Sequence, residues 1–100
     1  MSTSSPADLA VAFRSLPRRL KEAAADDAPP QAVSVATSSV GAALGRAADV
    51  LGSASTADAV AAALTSRKPE HWTEGDLVAI QGAADEAARA IRELAAFSER

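Results

Sequence analysis

Val33, Thr37, Val40, Leu44, Ala47 and Leu51 follow one another at steps of four, three, four, three and four. Leu77, Ile80, Ala84, Ala87, Ile91 and Leu94 repeat the same seven-residue period further along the chain. That period gathers side chains on one face of an α-helix and scatters them over both faces of a strand, so the two seams predict helices. Composition agrees. Hydrophobic residues make up 48% of the 100-residue chain, but 27 of them are alanine, the strongest helix former and the one that contributes least burial. Aromatics at 3% argue against a β-sandwich or barrel.

Punctuation divides the chain into an all-α, small antiparallel bundle of three to four helices, at about 6–26, 30–51, 56–66 and 74–97. Ser5-Pro6-Ala7-Asp8 combines a capping hydroxyl, a proline at the first helical position and an acid three residues after the cap. Residues 1–5 then form a flexible N-terminal tail ahead of a single domain spanning 1–100. Leu9, Phe13, Leu16 and Leu20 line one stripe of the first helix, and Pro17 predicts either a kink or a division into two shorter helices. Asp26-Asp27-Ala28-Pro29-Pro30 breaks the chain before the second helix, and Gly52 stops that helix. Ser53, Ser55 and Thr56 are candidate caps for a short helix carrying Ala57, Val60, Ala61 and Leu64 before Arg67-Lys68-Pro69. Thr73 with Asp76 marks the start of the last helix, whose Arg89 stands four residues from both Asp85 and Glu93. Small residues in mid-seam, Ala47 against Ala84 and Ala87, predict a close antiparallel pairing of the second and last helices. The first helix then covers one side of the pair, and the short one closes an end.

Three features invite a functional reading. Val40, Gly41, Leu44 and Gly45 carry a G-x-x-x-G spacing, a candidate helix-contact face that permits close approach of another helix, from the same chain or from a partner. Arg14, Arg18 and Lys21 form a basic stripe opposite the Leu9–Leu20 apolar stripe, a candidate contact for phosphates or an anionic surface, although residues 1–30 sum to zero net charge. His71 and Trp72 precede the last helix and are candidate bundle-end residues, the indole ring packing over the core.

Other chemistry is argued against. Without cysteine there is no disulfide framework, thiolate metal site or thiol catalysis. One histidine, no G-x-S-x-G turn and no phosphate-binding glycine loop give no catalytic, cofactor-binding or metal-ligating residues to name. A net charge of −3 lacks the basic footprint of a nucleic-acid binder. The longest uncharged run, Ala28 to Gly45, contains Pro29, Pro30, Gln31, Ser34, Thr37, Ser38 and Ser39, too polar for a membrane span of about 20 residues. The N-terminus has no signal-peptide pattern, so the expected compartment is the cytoplasm. The expectation is therefore a non-catalytic bundle without a cofactor or small-molecule substrate, acting on a protein partner or as a homo-oligomer. The alternative is an accessory protein that binds nucleic acid or an anionic membrane surface through Arg14, Arg18 and Lys21.

Overall fold

The computed structural model describes residues 5–24, 28–66 and 71–99. Four helices account for almost all of them: α1 (Pro6–Ala23), α2 (Pro30–Leu51), α3 (Ala57–Ser66) and α4 (Glu74–Ala95), with a 3₁₀ turn over Ala96–Glu99. Among the described residues there is no strand. Tail residues 1–4, Asp26, Asp27 and Arg67 to Glu70 lie outside the described residues.

Local chemistry sets the helix ends. The Ser5 hydroxyl accepts from the Asp8 N–H at 3.2 Å, Thr56 from Ala59 at 3.2 Å and Thr73 from Asp76 at 3.0 Å. Each satisfies one amide that the first helical turn leaves without an intrahelical acceptor. Ser5 is thus the cap of α1 that its place before Pro6 and Asp8 predicts. At α2 the cap position is Pro29, whose carbonyl accepts from Val33 at 3.1 Å, and Pro30 takes the first helical position. Gly52 ends α2 at φ 68°, and the Ser53 N–H reaches back to the Ala48 carbonyl at 3.1 Å. This left-handed residue is the one place where glycine is conformationally required.

Of the two alternatives for α1, the division into two helices is excluded, and the ends of α1 and α4 fall short of those expected. Pro17 does not divide α1, which runs unbroken from Pro6 to Ala23 and ends three residues early. Proline removes the N–H that would reach the Phe13 carbonyl, yet Phe13 and Leu16 are buried and hold the turns beside it on one core, while the Pro17 ring faces solvent. At the other terminus the α-helical part of α4 ends at Ala95, and residues 96–99 tighten into 3₁₀ geometry.

The bundle is arranged as a ring of neighbours. α2 packs chiefly on α4 and α1 on α3, α1 also packs on α4 and α2 on α3, and α1 and α2 stand diagonally with little contact. α3 is thus the partner of α1, not a cap on the α2–α4 pair. α2 and α4 run antiparallel: the start of α2 meets the end of α4 around one groove, and further along Arg46 meets Glu86. Ala36, Val40, Ala43, Ala47, Ala48 and Leu51 are the buried residues of α2, and Ile80, Ala83, Ala84, Ala87, Ile91 and Leu94 those of α4. The seam expected on α2 is rotated. Thr37 is exposed, its hydroxyl donating to the Val33 carbonyl at 2.8 Å, and Val33 and Leu44 are only half-buried. Alanines 36 and 43 occupy the face instead, because small side chains let α2 lie close against the alanines of α4.

No polar or charged side chain is buried among the described residues. Phe13, Leu9, Leu16, Leu64, Ile80, Leu94 and Val60 are the largest fully buried groups, so α1, α3 and α4 supply the bulk of the core while α2 contributes mainly small side chains. The molecule measures 45 × 29 × 17 Å. Its radius of gyration of 13.9 Å slightly exceeds the roughly 13 Å of a compact chain this long.

Candidate functional site

The helix-contact residues do not share a face. Val40 is buried against the core, Leu44 is half-buried, Gly41 faces solvent and Gly45 lies at the boundary. Neighbouring helical positions diverge by about 100°, which separates Val40 from Gly41. A Cβ built on Gly41 or Gly45 would meet nothing within 4 Å, so neither glycine sits at a close crossing within the chain. Ala36, Ala43 and Ala47 perform that part at less cost in backbone freedom.

What the glycines border is a broad uncharged surface. Gln31, Ser34, Val35, Ser38, Gly41 and Ala42 are all exposed along the outer side of α2, and Val35 is 67% exposed. The charge-free run that is too polar for a membrane thus becomes the solvent-facing side of a helix. Beyond it, Arg46 forms a two-pronged pair with Glu86 of α4: Nη1 donates to Oε1 at 3.0 Å and Nη2 to Oε2. Both side chains are about half exposed. The pair joins helices 40 residues apart in sequence, and no short-range pattern announces it.

The start of α2 also walls an open groove of about 600 Å³. Val35, Ala36 and Ser39 line one side and Ala90, Leu94 and Phe97 the other. Among the described residues the lining of the groove comes from α2 and α4 and the residues next to their ends, Pro29, Ala96 and Phe97. A lining of aliphatic and small hydroxyl groups can exclude water from an apolar side chain. Among the described residues Glu93 is the single ionisable residue of the lining.

Arg14, Arg18 and Lys21 are exposed, as expected of a stripe opposite Leu9, Phe13 and Leu16. Arg18 Nε stands 3.9 Å from Glu22 Oε1, so a carboxylate already offsets part of the charge. His71 is exposed, while Trp72 is half-buried and packs against the core. Trp72 lines a second groove, of about 560 Å³, with Pro6, Ala7, Leu64 and Leu77. Hydroxyls at its edge are engaged: Ser5 caps α1, and Thr65 donates to the Ala61 and Ala62 carbonyls. The expected Arg89 pairs do not form. Asp85 accepts from the Gln81 amide at 3.0 Å instead, an alternative that a solvated pair worth a few tenths of a kcal/mol does not outcompete. Among the described residues no three His, Cys, Asp or Glu side chains gather into a metal-binding group, and no helix is long and apolar enough to cross a membrane.

Comparison with protein-family models, curated proteins and solved structures finds no match for the chain.

Proposed function

We propose that this is a non-catalytic helical bundle that binds another protein chain, a partner or a second copy, through the outer side of α2. One observation carries the reading: exposed residues from Gln31 to Ala42 include no charge, and Val35 continues this surface into the apolar groove beside Phe97. Interface cores are depleted in charged residues, because each charge would have to be desolvated on association. The basic stripe of α1 is the weaker surface, since Glu22 already faces Arg18.

The experiment places charge on the surface without touching the core. Val35→Glu with Ser38→Glu alters two exposed positions in the first half of α2, where negative charge also suits the positive helix end. Circular dichroism and thermal unfolding first establish that the double variant folds like the native protein. Sedimentation equilibrium over a wide concentration range, and co-purification from cell extract, then compare the two. The expected result is a complex or oligomer formed by the native protein and lost by the variant. A native protein that stays monomeric with nothing retained, or a complex that survives the substitutions, overturns the reading.

A further inference from the structure

We draw no further inference here: the strongest candidate, the open apolar groove between the start of α2 and the end of α4 at Val35 and Phe97, belongs to the surface already proposed for docking, and nothing in the structure shows what covers it.

Discussion

At the scale of single residues, three glycines of this chain differ in sign. Gly41 and Gly45 lie within α2 with open space where a Cβ would stand. Alanine at each therefore restricts the unfolded chain without a clash and is expected to stabilise the fold by about 0.5–1 kcal/mol. In a domain of this size each kcal/mol moves the melting temperature by roughly 4–8 °C. A thermal melt of Gly41→Ala with Gly45→Ala should therefore rise, and a fall would mean that a neighbour fills the space. Gly52, at φ 68°, predicts the opposite. Gly52→Ala forces a side chain into the left-handed region and should cost about 1–2 kcal/mol in the same measurement.

At the scale of the helix, Pro17 and the alanine face of α2 are the informative elements. Pro17 is exposed and leaves the Phe13 carbonyl without its helical donor. Pro17→Ala restores the N–H, and the expected gain is up to about 3 kcal/mol, reduced by the freedom that the unfolded chain recovers. Chemical denaturation of the variant checks this: an unchanged or lower midpoint would mean that the ring stabilises α1. On α2, Ala47 is fully buried against α4 while Ala42 faces solvent. Ala47→Leu should destabilise by about 1–3 kcal/mol through overpacking, whereas Ala42→Leu should be close to neutral. Equal effects at the two sites would contradict the face assigned to α2.

At the scale of the whole molecule, the distribution of charge separates the proposed docking surface from the basic stripe. Contacts to phosphates weaken steeply as salt rises, whereas apolar helix contacts do not. The chain carries a net charge of −3, and Glu22 faces Arg18. No measurable affinity for DNA, RNA or anionic vesicles is therefore expected near ~0.15 M salt, where screening acts over about 8 Å. Arg14→Glu with Arg18→Glu should leave folding intact, because both side chains are exposed. Fluorescence titration and vesicle co-sedimentation read the outcome. Salt-sensitive binding that the double substitution abolishes would move the functional surface from α2 to α1.

Helix content, the limits of α2, the caps at Ser5 and Thr73, the stop at Gly52, the buried face of α3 and most of that of α4 were legible in the sequence, whereas Thr56 was one of three candidate caps. Each depends on residues within about one turn of one another, or on an amphipathic pattern with a single apolar stripe. The face of α2 was legible only in part: Val40, Ala47 and Leu51 of the expected seam are buried, but alanines and valines surround that helix and only packing selects Ala36 and Ala43 over Val33, Thr37 and Leu44. The pairing of α1 with α3, the Arg46–Glu86 bridge and the groove at Val35 join segments far apart in the chain. Tertiary structure decided them, since local preference determines where a helix begins and ends and a single apolar stripe determines its buried side, while packing alone determines which helices meet and, on a helix without such a stripe, which side is left to water.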